Sequence, residues 1–383
     1  MTLHRPLFSL LARLLPLAVL LPALAACDRG GRLAQLTPQP TVSTPVVLGV
    51  TAEVVDATGG TPAPPATAAP APTATYDPAR PAWTILYYAG ADSDQASFVW
   101  DDLNEMEAGA ASEQVRVVAQ VDWPEGGPAN TAESVRYVIR PDADPTQLAS
   151  ETVTTLGESN QGDPATLADF LAWGVATYPA NRTVLVLGGF GGGWAGCCLD
   201  AAAGDHLSLT ELDQALALAQ SQTGARLEII AFTAGLMGQL DVLQTVQPYA
   251  AYAVASPDLV PGASWDFQAV LAQLEADPFI DGRQLAGDLV TALVNTQRQL
   301  EGNEFAVMAA VDLARVPALS AAVESLAAAV AGDPILYAEV AGFARRGAQT
   351  YGGAVLTDAL GIADAERIAA VDLSHAAALV AEV

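Results

Sequence analysis

The stretch "VLVLGGFGGGWAGCCLD", Val184 to Asp200, opens as an apolar run of strand length. It then passes through a glycine turn and ends on two adjacent cysteines and an acid. A short apolar run closed by glycine has the pattern of a fully buried strand. Gly191 to Gly196 also satisfies G-x-G-x-x-G, the dinucleotide fingerprint. That fingerprint works only when its turn runs straight into a helix whose free N–H groups meet the pyrophosphate. Here "CCLDAAAGDHL" (197–207) intervenes before the helix start at Ser208, and the chain has no lysine to serve a P-loop. The glycines therefore read as a turn leaving a buried strand; no nucleotide, cofactor or metal is expected.

Working outward, six further runs have strand character: 83–90, 115–122, 134–140, 227–233, 250–256 and 305–313, with the opening run extending over 183–189. Between them "FVWDDLNEMEAG" (98–109), "DPATLADFLAWGVATY" (163–178), "SLTELDQALALAQSQ" (208–222) and "LMGQLDVLQTV" (236–246) carry helical spacing. Asp163-Pro164 reads as an N-cap with a first-turn proline, and Ser208 with Glu211 as a capping box. Strands alternating with helices predict an α/β domain whose mainly parallel sheet has helices on both faces. Sites in such sheets form where loops leave the carboxyl ends of the strands. Gly188–Asp200 and Thr233–Gly238 both leave strands there.

The N-terminus "MTLHRPLFSLLARLLPLAVLLPALAAC" sets His4, Arg5 and Arg13 before an apolar stretch from Leu14 to Ala26. That is signal-peptide length, short of the about 20 residues a membrane span needs. Leu24-Ala25-Ala26-Cys27 resembles a lipobox, which implies removal of residues 1–26 and lipidation of Cys27; the alternative is a secretory signal with a chance cysteine. Residues 28–82, ending "TGGTPAPPATAAPAPTATYDPARPA", have the Pro/Thr/Ala composition of a stalk. The folded part is read as 83–383, although "ALVAEV" at the end still lies within helical periodicity and leaves the natural terminus open.

Every one of the 16 basic residues is arginine against 43 acids, a formal charge of −27 that becomes −29 without residues 1–26. So acidic a chain without a basic cluster argues against nucleic acid and against polybasic adhesion to lipid. Attachment to a membrane would rest on acyl chains, each buried methylene adding about 0.8 kcal/mol. With Cys27 assigned to lipid, Cys197 and Cys198 remain, so no disulfide framework is expected.

The order of "WTILYYAGADSD" with "DDLNEMEAG", "LGESNQGDPATLADFLAWGVATYPANR", the Gly191–Trp194 turn, "DHLSLTEL", "AFTAGLMGQLDVL" and "ASPDLVPGASWDF" resembles the clostripain family, the C11 cysteine peptidases of the caspase-like clan. Each piece alone is weak, but six in order from Trp83 to at least Leu313 are specific. The resemblance implies a caspase-like three-layer sandwich. In the family, the strand ending at Gly188 would run into Trp-Asp-His-Gly-x-Gly-Trp, whose histidine is the catalytic base. Aligned on Gly191, Gly193 and Trp194, this chain has Gly188-Gly189-Phe190. The next strand would end Phe-Asp-Ala-Cys-Leu-Met-Gly, with the nucleophilic cysteine and an aspartate that reads a basic substrate residue. Here Thr233 stands at the aspartate's position and Gly235 at the cysteine's. The resemblance thus implies a degenerate member, since a cysteine peptidase needs a thiolate to attack and a group to protonate the leaving amine.

Such a chain is expected to be a monomeric surface lipoprotein that binds or scaffolds peptide or protein, or shields substrates from active relatives. The rival is an active hydrolase with Cys197 or Cys198 as nucleophile and His206 as base. Against the rival, the cysteines lie in a loop that shows only Asp200 and Asp205 rather than an activating positive charge. They read instead as a vicinal disulfide or as partly buried free thiols. His206 reads as solvent-exposed and His375 as packing on a late helix. Asp101, Asp102, Glu105 and Glu107 read as a solvated helix face rather than a metal site. Trp194 and Trp265, in loops near the expected cleft, are candidate ligand contacts beside Gly191 and Gly193, with core packing as the competing reading.

Overall fold

The computed structural model describes residues 76–110, 112–260, 265–299, 307–351, 370–373 and 375–376. The residues read as a signal segment, Cys27, and those read as a stalk as far as residue 75 lie outside them.

The apolar runs become strands where expected: β1 Trp83–Gly90, β2 Val115–Asp122, β3 Ser134–Val138, β5 Arg182–Gly188, β8 Leu227–Phe232, β9 Ala250–Ala255 and β10 Ala309–Asp312. One more, β4 Glu151–Gly157, completes an eight-stranded sheet in the order β10-β9-β8-β5-β1-β2-β3-β4. The five central strands from β9 to β2 run parallel, and the flanking β10, β3 and β4 pair antiparallel. The order reverses between β5 and β1, so the loops after these strands open onto a crevice at the carboxyl edge.

A β1 strand buried at all eight positions must be covered on both faces, and it is. One face packs α1 Ala96–Gly109, α5 Phe267–Ala276 and α6 Gly282–Gln299 over Ile85, Tyr87, Val184, Val186 and Ile229. The other packs α2 Pro164–Thr177, α3 Leu209–Thr223 and α4 Leu240–Val246 over Leu86, Tyr88, Leu185, Leu187 and Ile230. Odd and even positions of the same strands feed opposite cores, the period-2 rule at work on a sheet covered twice. The result is the expected three-layer sandwich. Both caps form: the Asp163 carboxylate accepts from Ala165 N at 2.8 Å, and Ser208 and Glu211 bond reciprocally. Two more helices, α7 Val316–Gly332 and α8 Pro334–Gly347, follow β10.

The lower boundary of the folded part moves. Asp77 N donates to Asn181 Oδ1 at 2.6 Å, the Asn181 amide donates back to Asp77 O at 2.9 Å, and Tyr76 packs edge-on against Phe279. Residues 76–82, read from composition as stalk, are therefore docked on the domain.

Candidate functional site

At the end of β5 the chain turns through Gly188, Gly189 and Phe190. A Cβ on Gly188 would stand 2.9 Å from the Tyr87 hydroxyl and 3.2 Å from Thr233 Oγ1, so only glycine lets β5 pass both. Gly189 has φ of +105°, a conformation glycine adopts freely. Gly191 meets the neighbouring loop backbone to backbone: a Cβ there would collide with Gly235 O. The turn carrying half-buried Phe190 and the turn carrying half-buried Gly235 are thus in direct contact at the ends of adjacent parallel strands.

The second turn is held from its other side. Leu236 N donates to Asp258 O at 2.8 Å and Gly238 N to Ser256 O at 2.7 Å. Leu236 is buried with φ of +67°, unusual for a branched side chain. Gly235 itself has no need of glycine's freedom: its φ is ordinary, and a Cβ would lie 3.1 Å from Val260 N and 3.2 Å from Leu259 Cα. Beyond Gly191, Gly193 has φ of +61° and lies hard against the Gln239 side chain, whose Oε1 accepts from Trp194 N at 3.3 Å. The Trp194 ring is 41% exposed beside this contact.

Beneath Thr233 runs a buried polar chain. The Thr233 hydroxyl bonds to the Tyr87 oxygen, and the Tyr87 hydroxyl donates to Asp102 Oδ2 at 2.7 Å. Burial pushes Asp102 well above the usual carboxylate range, although the bond from Tyr87 pulls it down. Tyr87 is pushed up in turn, by burial first and by Asp102 second. The reading of α1 as a solvated acidic face needs correcting here. Asp102 is buried under Tyr87, and Glu107 is buried and accepts from Ser150 N at 2.6 Å. Glu105 accepts from Phe267 N at 3.0 Å, and burial raises it to about 7 against that bond. A backbone N–H or a phenol reaches each of these acids from a distant segment, which the sequence pattern does not display.

The remaining candidates separate. Trp265 is 1% exposed, with Nε1 donating to Met308 Sδ at 3.1 Å and its ring edge-on to Phe267, so it packs in the α1/α5 core and lines no cleft. Cys197 and Cys198 lie on β6 (Cys197–Asp200), which pairs with β7 (Asp205–Leu207). They are buried rather than partly buried, unbridged, with sulfurs 3.4 Å apart. The Cys198 thiol is pushed up by its hydrogen bond with Cys197 and then by burial, opposite to what activates a nucleophile. Cys198 N donates to Phe190 O at 2.9 Å, so the pair braces the Phe190 turn from behind. His206 is half-buried with Nε2 at 3.0 Å from Ala195 O, not free in solvent. His375 is exposed rather than packed, and its Nδ1 accepts from Gln349 N at 3.2 Å.

What this arrangement can do chemically is limited. Two strand ends, a phenyl ring and a glycine offer shape, backbone groups and an exposed indole. The titratable groups of the buried chain, Tyr87 and Asp102, are sealed below Thr233.

The same frame occurs in known proteins. Clostripain of Hathewaya histolytica is 25% identical over 236 aligned positions, covering 50% of this chain and 42% of the relative; the chain thus matches about two fifths of that relative's length. A secreted C11 cysteine protease from Bacteroides thetaiotaomicron, solved with an irreversible peptide inhibitor, superposes with a TM-score of 0.52 at 20% identity, over 63% of this chain and 69% of that one. An inactive zymogen C11 protease from Parabacteroides distasonis superposes with a TM-score of 0.51 at 16% identity, over 64% and 66%. These likenesses establish the caspase-like fold. The model of the clostripain family matches residues 87–341, from the middle of β1 into α8 and across both contacting turns. The chain belongs to the clostripain family.

Proposed function

We propose that this protein is an exported, lipid-anchored member of the clostripain family that binds peptide or protein segments at the ends of β5 and β8 without cleaving them. The observation that carries this reading is the pair Phe190 and Gly235. They occupy contacting turns at adjacent strand ends, where the family resemblance places base and nucleophile, and neither side chain can move a proton or attack a carbonyl. Loss of a general base alone forfeits about 10²–10⁴-fold, and a missing side chain removes the covalent route altogether. Thr233, neutral and turned to Tyr87, offers no charge to a basic substrate residue.

The buried, raised thiol of Cys198 supports the same reading, because the rival mechanism needs an accessible thiolate. Export fits the secreted relative from Bacteroides thetaiotaomicron and the Leu24–Cys27 motif. The role is that of a monomeric binding or scaffolding module held off the membrane by its stalk. It is tested by passing a mixed peptide library over the full chain in detergent micelles. Retained peptides should elute intact and lose about tenfold or more in affinity on Trp194→Ala, the scale of an interface aromatic anchor. Absence of retention, or retention indifferent to Trp194, sinks the binding role.

A further inference from the structure

We infer that Cys197 and Cys198 form a redox modification site, closed to a vicinal disulfide by an oxidant of the disulfide class, and that this closure loosens the Phe190 turn. The two residues are adjacent in the chain, both thiols are free and buried, and their sulfurs lie 3.4 Å apart. A regular strand does not allow that arrangement, because neighbouring side chains leave opposite faces. Here β6 is irregular: its pairing with β7 shifts register between Cys197 and Asp200. Cys198 also has φ of +58°, in the left-handed region that favours glycine. The backbone is thus held in an unusual conformation at the residue that brings the second sulfur beside the first. Strain of this kind points to a functional segment.

Other uses of a cysteine pair fit less well. Among the described residues, no histidine, aspartate or glutamate ligand atom joins the two sulfurs in a group of three, and a zinc site needs more than two protein ligands. The pair lies in the core beneath α2 and α3 with Leu167, Leu207 and Leu212, but packing alone needs neither two sulfurs nor a left-handed backbone. Closure needs little movement. A disulfide is about 2.05 Å long, so the sulfurs must approach by about 1.4 Å, within reach of side-chain rotation. One thiolate attacks a sulfur of a small disulfide such as oxidised glutathione and expels a thiol. The second thiolate attacks the protein sulfur of the mixed disulfide and expels the other thiol. The pair loses two protons and two electrons, and the reagent is reduced to two thiols. The export proposed above puts the chain where disulfides form and persist, but the chemistry itself needs only the oxidant. The Cys198 thiol is pushed up by its bond to Cys197 and by burial, so the thiolate is scarce and exchange in the folded protein is slow.

The closed ring runs through the Cys198 nitrogen. That same N–H donates to Phe190 O at 2.9 Å, and Cys197 bridges to Gly191. Closing the ring turns the Cys197–Cys198 peptide, so it acts directly on the bond that braces the Phe190 turn. Trp194 lies between Gly191 and Cys197, in the short turn Gly193–Ala195, and shares the change. The redox state of the pair thus reaches one side of the candidate site, whether or not the domain binds peptides.

The test is equilibration of the full chain in detergent micelles with oxidised and reduced glutathione in varied ratio. It starts both from the folded dithiol and from chain that has been unfolded, oxidised and refolded. Peptide mass mapping reads the bond as one hydrogen lost from each sulfur of Cys197 and Cys198, apart from Cys27, and hydrogen exchange reads the turn. Both starting points should converge on one oxidised fraction that rises with the share of oxidised glutathione. In the oxidised form the amides of residues 190–198 should exchange about fivefold faster or more, the scale of one lost backbone hydrogen bond. Cys197→Ser should show neither the mass loss nor the exchange difference. Should that variant not fold, the comparison between the two forms of the unmodified chain still decides. A dithiol that persists from both starting points in the most oxidising buffer, or disulfides formed only with glutathione or between chains, would overturn the inference. So would a vicinal disulfide with unchanged exchange at 190–198, or an exchange difference that survives Cys197→Ser.

Discussion

If the backbone of a cysteine-peptidase site is intact around Phe190 and Gly235, two substitutions should rebuild its thiol chemistry. Gly235→Cys has room to fold. Its φ needs no glycine, and the new Cβ meets Val260 N at 3.1 Å, Leu259 Cα at 3.2 Å and Asp258 O at 3.4 Å. The 256–260 loop must therefore give by a few tenths of an ångström. Mild overpacking of this kind costs about 1 kcal/mol, the low end of its usual range, or about 2–4 °C in melting temperature for a domain of this size. The lone thiol would have a pKa near 8.5, about 3% thiolate at pH 7. Phe190→His, in the contacting turn, would pair with it. A paired thiol at a pKa of about 7 is half ionised, about sixteenfold more thiolate, of which lower intrinsic nucleophilicity takes back about fivefold. The expected gain in alkylation rate at pH 7 is about threefold. A clearer sign is the midpoint of the rate against pH, which should fall by at least about one unit from the single to the double variant. The assay is iodoacetamide labelling of the thiol introduced by Gly235→Cys, resolved by peptide mass spectrometry, in a Cys197→Ser/Cys198→Ser background. Identical pH profiles for the single and double variants would refute the claim that the two turns hold their groups in register.

Other expectations follow from the same geometry. Gly191→Ala forces a methyl into Gly235 O and should lower the melting temperature by several degrees, an overpacking cost of about 1–3 kcal/mol. Gly287→Ala in α6, with nothing within 4 Å, should raise it through helix propensity, by about 0.5–1 kcal/mol; a reversed pair would discredit the contact between the turns. Burial raises Glu105 from 4.5 to about 7, so the folded state binds its proton more tightly than the unfolded chain does. Its contribution to stability is full below pH 4.5 and is lost as pH rises through about 7. Glu105→Gln keeps an acceptor for Phe267 N and should flatten the melting temperature between pH 5 and 8, measured by calorimetry; an unchanged slope would exclude Glu105 as its source. Cys27→Ala should move the protein from the detergent phase to the aqueous phase, and an intact mass without acyl groups on the unmodified protein would remove the lipid anchor from the account.

Much of the fold was legible because its central strands are buried on both faces and so appear as unbroken apolar runs closed by glycine, as at Val184–Gly188. The caps at Asp163 and Ser208 were legible because capping is local. β4 was not: "ETVTTLG" is an exposed edge with no apolar face to announce it. The docking of residues 76–82 was hidden because proline-rich composition speaks for a stalk, while the bonds to Asn181 lie about a hundred residues away. The two contacting turns could be placed in the sequence, since strand order and family pattern both mark them, but their backbone contact through Gly191 could not. Asp102 under Tyr87 escaped for a similar reason. Burial of a charge depends on partners from other elements, and no spacing rule connects Tyr87 with Asp102.

Peptide turnover by the unmodified protein tests the central claim most directly. The full chain is incubated with a mixed peptide library under reducing conditions, and new termini are counted by mass spectrometry beside Cys197→Ser and Cys198→Ser variants. The account requires the same negligible rate in all three. It also requires that the two native thiols stay unlabelled until the protein is denatured, because both are buried. Cleavage by the unmodified chain that disappears with either cysteine substitution would show an active peptidase and contradict the account.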